Sequence, residues 1–371
     1  MLAQPPIWLI VVAFVCAIGP LVFFHELGHY LVGRLFGVGA ETFSIGFGHE
    51  ITGWTDRRGT RWKVGWLPLG GYVRFIDEQG PGEGDRSSTA QGHSFAEKPV
   101  WQRFLIVLAG PLSNFLLAII IFAFFFGLFG IPRTPNVVVA IQQGSAAASA
   151  GLHKGDRIEG VAGASTGTFE DVQRIVALRP GEPVILRIGR GDRTLLVRTT
   201  LGTHEEKDRF GQTYRIGLLG VFADGRKLER VAPLKLIPEA ASYTWALTAT
   251  TMEGLWQIIT GRRSAEELGG PLKMAQVAGQ QASLGPFQFV QLLALFSINL
   301  GFINLLPVPM LDGGHLLFYS VEAVRRRPVS VQAQEWAFRG GLALLLALLL
   351  FTTLNDLGSF GLWERLGRLI G

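Results

Sequence analysis

The sequence predicts a multi-pass α-helical membrane protein of about four transmembrane helices, carrying a strand-forming loop beside the membrane and one soluble α+β insert. Three observations predict it. Of 371 residues, 48% are hydrophobic and only 17% charged, with 26 Phe against 5 Tyr, too few charges to clothe a soluble surface. Residues 7–36, 104–129 and 287–324 each reach the roughly 20 apolar residues that a bilayer demands, and 336–354 follow as a fourth. Between the second and third stretches, residues 131–230 are rich in Gly, Arg, Asp and Val and break into short alternating runs, which mark a folded domain of mixed strand and helix. High apolar content excludes disorder, the 48 Gly without a three-residue period exclude collagen, and a single Cys16 excludes a disulfide framework. No basic patch with interleaved aromatics points to nucleic acid.

Taken in order, residues 1–37 form the first span. The tail before it has no Lys or Arg and no small-residue cleavage pattern follows, so it is expected to stay as an anchor. Residues 38–102 form a loop in which 42–47 and 61–75 are short, aromatic and Gly-punctuated, and read as hairpin strands near the membrane whose free edge captures an extended peptide. Residues 103–130 are the second span, and 131–230 the insert, with strands expected at 184–188 and 194–197. Residues 231–286 contain a stretch, 236–260, apolar enough to be taken for a span. Glu239, Glu253 and the Ser, Thr and Ala among its bulky residues suit a helix lying along the interface. Residues 287–324 are the third span, and 325–371 a turn, the fourth span and a tail.

Basic residues in short loops set the orientation. The loop after span one carries Arg57, Arg58, Arg61, Lys63, Arg74, Arg86, Lys98 and Arg103, and the turn after span three carries Arg325, Arg326 and Arg327. The N-terminus and the insert are therefore expected outside.

Inside the first span lies His25-Glu26-Leu27-Gly28-His29. On a helix the two His fall one turn apart on one face, so their imidazoles can share one zinc while Glu26 reaches a water beside it. Burying two His and a Glu in an apolar span costs several kcal/mol unless something compensates them, which makes a core hydrogen-bonded pair the weaker reading. Catalytic zinc takes three protein ligands and keeps one open position. Candidates for the third are Glu41, His49, Glu50, His315 and Asp312. Asp312 stands out, deep in the third span after Asn299, Asn304, Pro307 and Pro309, although a helix-breaking turn capped by Asp312 would look the same.

HExxH in the first span, Asn304 to Gly314 reading NLLPVPMLDGG, Gly110-Pro111-Leu112-Ser113-Asn114 in the second span and Gly269-Gly270-Pro271 before the third together resemble the site-2 protease family of intramembrane zinc metalloproteases, in its bacterial regulator-of-sigma-E branch. The resemblance covers nearly the whole chain. It implies Zn2+ held by His25, His29 and Asp312, with Glu26 as general base. It also implies a bacterial inner-membrane location, a re-entrant β-loop at 41–75, and membrane lipid and single-span membrane proteins as partners, such as anti-sigma factors or signal-peptide remnants. Asn304, Pro307, Pro309, Gly70 and Gly71 become candidate substrate-binding positions. Asn304 can serve as a donor to an unwound substrate backbone or as a plain inter-helix hydrogen bond.

Residues 145–161 of the insert, with Gly151 and Gly155 for tight turns and Leu152 and Ile158 for core contacts, resemble the signature of a PDZ domain. Such a domain binds peptide ends by strand addition or acts as a size filter. The chain has room for one, where the branch it resembles carries two in tandem. Two rival readings are a catalytically silent scaffold recruiting partners through this domain and a metal-ion transporter. Intact His25, Glu26, His29 and Asp312 weigh against the first, and four thin spans with no task for Glu26 against the second.

Overall fold

The computed structural model describes residues 5–77, 90–207, 213–225 and 227–359; Arg86 and the tail at 360–371 lie outside them. In chain order the elements are α1 (Ile7–Leu35), β1 (Ala40–Thr55), β2 (Arg61–Phe75), α2 (Val100–Phe129), β3 (Ile131–Arg133), β4 (Ala140–Ile141), α3 (Ala146–Ser149), β5 (Arg157–Val161), β6 (Ala164–Ser165), α4 (Phe169–Ala177), β7 (Pro183–Arg190), β8 (Arg193–Thr200), β9 (Gly202–Lys207), β10 (Thr213–Leu218), β11 (Val221–Phe222), β12 (Lys227–Glu229), α5 (Leu236–Ile259), α6 (Pro271–Leu284), α7 (Pro286–Leu305), α8 (Asp312–Arg325) and α9 (Val331–Ser359). They form two compact units, one of Met1–Phe122 with Gly269–Leu354, the other of Ala123–Leu268 with Asn355–Gly371.

Among the described residues four helices are long and apolar enough to cross a membrane, within α1, α2, α7 and α9. α5 is not one of them. Its Glu239 and Glu253 pair with Arg133 and Arg179 of the insert, each at 3.0 Å, which accounts for acidic residues in so apolar a stretch.

Two expectations change in the first unit. The third span is not one helix over 287–324: α7 stops at Leu305 and α8 starts at Asp312. The two prolines explain the break, since each removes a backbone donor and Pro309 drives its predecessor out of the α region. Residues 271–284, expected within an interfacial region, instead form α6, which packs along the N-terminal half of α1. There Gly279 lies against Ile10, and Ala278 joins Ala13, Ala17 and Leu21 in one buried cluster.

The loop after α1 folds more tightly than a plain hairpin. Residues 40–45 pair antiparallel with 71–75, and 50–55 antiparallel with 61–65, while 42–45 also lie beside 61–64 with both numbers rising together. Positive φ at Gly46, Gly48 and Gly70 turns each long strand back on itself, a conformation that side chains with a Cβ resist. Phe43, Val73 and Phe75 bury one face of the sheet with Tyr30 and Ile106.

In the second unit β6-β5-β7-β8 form a four-stranded sheet, flanked by α3 and α4 and by the short pairs β9/β10, β4/β11 and β3/β12. The period-two pattern of β7 buries Val184, Leu186 and Ile188 with Ile158, Val161, Val172 and Val176. α4 begins in a reciprocal cap between Thr168 and Asp171. Buried Asp156 accepts two bonds from Arg190, both 2.8 Å. The Arg190 guanidinium, with the His153 amide, holds the Asp156 carboxyl below the usual carboxylate range.

A depressed folded-state pKa makes this contribution complete above the unfolded value of about 4 and lost as pH falls through the folded value. The insert is expected to lose stability below pH about 4. Arg190→Ala should lower its stability at pH 7 and flatten that acid dependence. Thermal unfolding at pH 7 and in acid checks this, and an unchanged acid slope in the variant would exclude the Asp156–Arg190 pair as its origin.

Candidate metal centre

The first unit brings together three side chains from two distant parts of the chain. α1 presents His25 and His29 on one face, and α8 opens with Asp312. His25 Nε2 stands 3.3 Å from His29 Nε2, and Asp312 Oδ2 lies 3.1 Å from the first and 3.5 Å from the second. A tetrahedral zinc with bonds of about 2.0–2.1 Å spaces its ligand atoms about 3.3 Å apart, so the three separations are those of a zinc-binding set.

Protonation points the same way. His29 Nδ1 lies 2.9 Å from the Ile106 carbonyl, which can only accept, so Nδ1 carries a proton and the neutral ring keeps its lone pair on Nε2. The Asn114 amide nitrogen stands 3.2 Å from His25 Nδ1, while its oxygen is buried without a partner. A half-turn of that amide lets Nδ1–H donate to the oxygen and leaves the lone pair on His25 Nε2. Asp312 Oδ2 is likewise buried with no hydrogen-bond donor. Three buried acceptors facing one another make a ready seat for a shared cation. The set of two imidazoles and a carboxylate fits zinc.

Small residues make this convergence possible. A Cβ on Gly110 of α2 would overlap the His29 ring, with Cδ2 at 2.8 Å, and one on Gly28 would meet Ser113 Cβ at 2.9 Å. The GPLSN segment thus lets α2 lie directly on the HELGH turn. Asn114 is fully buried, and its own carbonyl accepts from Ser297 Oγ of α7 at 2.8 Å. In α8, Gly313 lies against the Leu305 carbonyl, where a Cβ would come within 2.5 Å, which allows the chain to turn sharply into Asp312. Arg103 of α2 reaches Glu322 of α8 at 2.7 Å and lies over the Tyr319 ring, tying the two helices together.

Glu26 is buried beside the set, and its carboxylate accepts from the Val73 backbone amide. Gly71 faces it as well, since a Cβ there would stand 3.2 Å from Glu26 Cγ. Gly70 packs on Phe47. Asn304 is half-buried in the last turn of α7, and Pro307 and Pro309 lie in the break that follows.

The other candidates for third ligand go elsewhere. Glu41 pairs with Arg74 and Glu50 with Arg61, His49 is exposed, and His315 packs on the Tyr319 and Phe338 rings. The Ile106 carbonyl and the Val73 amide leave no mark in a sequence, being backbone groups. Asn114 was visible only as part of a motif, with no role attached.

A polar HExxH centre completed by a carboxylate from a broken membrane helix defines a class, the membrane-embedded metalloprotease. Comparison with known proteins agrees. The model of peptidase family M50 matches residues 13–348, and the chain belongs to that family. A candidate zinc metalloprotease of Agrobacterium fabrum is 41% identical, the match covering 94% of this chain and 96% of that protein. The metalloprotease MmpA of Caulobacter vibrioides is 36% identical over 93% and 94% of the two chains. The protein is a zinc metalloprotease and a membrane protein. The PDZ domain of an SdrC-like protein from Listeria monocytogenes also matches, at 18% identity, TM-score 0.19, covering 25% of this chain and 90% of that one.

Asn114→Ala should weaken zinc binding about 10–100-fold by releasing the His25 ring, with the fold retained. Chelator competition on the purified protein measures it, and wild-type affinity would show that Asn114 does not orient the ligand.

Proposed function

We propose that this protein is an endopeptidase that cuts transmembrane segments of single-span membrane proteins within the bilayer, with zinc held by His25, His29 and Asp312 and Glu26 as general base. The observation that carries the reading is the meeting of three acceptor atoms within 3.5 Å, beside a buried Glu26, in a bundle of membrane-length helices.

When bound, zinc supplies a Lewis acid that polarises the scissile carbonyl and acidifies water. Glu26 takes the proton of the attacking water and returns it to the leaving amine. The Val73 amide holds the Glu26 carboxylate in place for both transfers. A substrate helix hides its carbonyls in its own hydrogen bonds and must unwind to be cut, which leaves its backbone in need of partners. Residues 71–75 supply them in this reading: they pair with 40–45 on one side, no strand pairs with their other edge among the described residues, and Gly71 lies against Glu26. Asn304 is a further donor to the unwound chain, with Gly70, Pro307 and Pro309 shaping the approach.

The basic residues of the loop after α1 and of the turn at Arg325 to Arg327 support an N-terminus and insert outside and a metal centre in the inner half of a bacterial inner membrane. The insert reads as a single PDZ domain that screens or captures substrates, after a first cut has removed their external parts. Anti-sigma factors and signal-peptide remnants are the substrate classes this suits.

Glu26→Gln should retain zinc and lose turnover by about 10²–10⁴-fold on a truncated single-span substrate in detergent, and a chelator should abolish wild-type cleavage. Equal turnover in the variant would remove Glu26 from the chemistry. Zinc-loaded wild type that cuts none of several spans would overturn the substrate class.

A further inference from the structure

α9 contributes no ligand, acid or base, yet it touches the segment that delivers Asp312. Within α9, Gly340 and Gly341 differ sharply. A Cβ on Gly340 would meet nothing within 4 Å, whereas one on Gly341 would overlap the Pro309 carbonyl oxygen and stand 2.8 Å from Pro309 Cβ and 2.9 Å from its carbonyl carbon. Only a glycine lets the helix lie so close.

Pro309 is held by a second glycine too. A Cβ on Gly314 of α8 would come within 2.7 Å of Pro309 Cα and 2.6 Å of the Val308 carbonyl oxygen. The backbone of the break is therefore in close contact with two glycines on two helices. One residue on, Met310 has φ +85°, a left-handed conformation that a non-glycine residue keeps only where its surroundings impose it. Phe338, one turn before Gly341, packs against His315 at 5.3 Å and Phe318 at 5.8 Å between ring centroids. α9 thus grips the chain on both sides of Asp312, three residues before it and three to six after it.

We infer that Gly341 is a positioning residue for the metal centre: its close seat on Pro309 fixes the break between α7 and α8 and so sets where the Asp312 carboxylate meets His25 and His29. The inference rests on Asp312 being a zinc ligand. A methyl group at position 341 displaces Pro309, whose other atoms are already in close contact with Gly314, and the strained Met310 link passes the displacement to Asp312.

The test compares full-length wild type with Gly341→Ala, Gly340→Ala, Phe338→Ala and Asp312→Ala. Zinc affinity is read by chelator competition, coordination by the visible absorption of the cobalt-loaded protein, and stability by melting of the metal-free protein. Gly341→Ala is expected to lose zinc affinity by about tenfold or more and to change the cobalt spectrum, in the range of outer-shell substitutions. Gly340→Ala should bind as wild type, and Phe338→Ala should lose affinity several-fold. Wild-type affinity and spectrum in Gly341→Ala would overturn the inference, as would an equal loss in Gly340→Ala or a lowered melting point with an unchanged cobalt spectrum. If Gly341→Ala does not fold, Phe338→Ala decides, wild-type affinity counting against. Asp312→Ala separates the two levels: undiminished zinc binding there would sink the ligand assignment itself, whatever Gly341 does.

Discussion

Three acceptor atoms, buried and within 3.5 Å of one another, are the constraint on which the membrane unit depends. In an apolar bundle such a set is unfavourable by several kcal/mol unless a cation completes it, because the apolar side chains around it cannot solvate the lone pairs. Each neighbouring feature either brings these atoms closer or fixes their protonation. The Ile106 carbonyl orients one imidazole and the Asn114 amide the other. Ser297 secures Asn114 through its backbone, so α7 acts on His25 of α1 by way of α2.

Close approach is achieved by leaving out side chains. Gly28 and Gly110 let α1 and α2 touch at the histidines, and Gly313, Gly314 and Gly341 do the same around the break that precedes Asp312. Membrane helices lack a hydrophobic drive to associate, so contact area between backbones is what holds them, and small residues supply it. The arrangement also spends conformational energy. The strained Met310 and the two prolines interrupt a helix that would otherwise run on and carry Asp312 away from α1.

The insert follows a different logic. Its stability comes from an ordinary aliphatic core, a capped helix and a buried Asp156 paired with Arg190. α5 belongs with it rather than with the bundle, since its two acidic residues are neutralised by insert arginines. The β-sheet between α1 and α2 stands between these regimes: one aromatic face is buried against α1 and α2, and one edge is left beside Glu26.

What the sequence determined by itself was what composition and short spacing encode. Apolar runs of bilayer length marked the four spans, because no water inside a membrane forgives an unpaired backbone. Alternation at Val184, Leu186 and Ile188 marked a strand of the insert, and the four-residue spacing of His25 and His29 placed two imidazoles on one face. Five residues could have been the third partner, and Asp312 stood out among them by its depth in the third span. Tertiary structure brought Asp312, of those five, beside His25 and His29. It broke the third span at Leu305, folded the loop strands back on themselves, laid α6 along α1 and turned Glu41, Glu50 and His315 to other neighbours. It also assigned work to the Ile106 carbonyl, the Val73 amide and Gly341, groups without any chemical signature in a sequence. Their roles arise from distances between segments up to 77 residues apart, as between Ile106 and His29, and such distances exist only once the helices have packed.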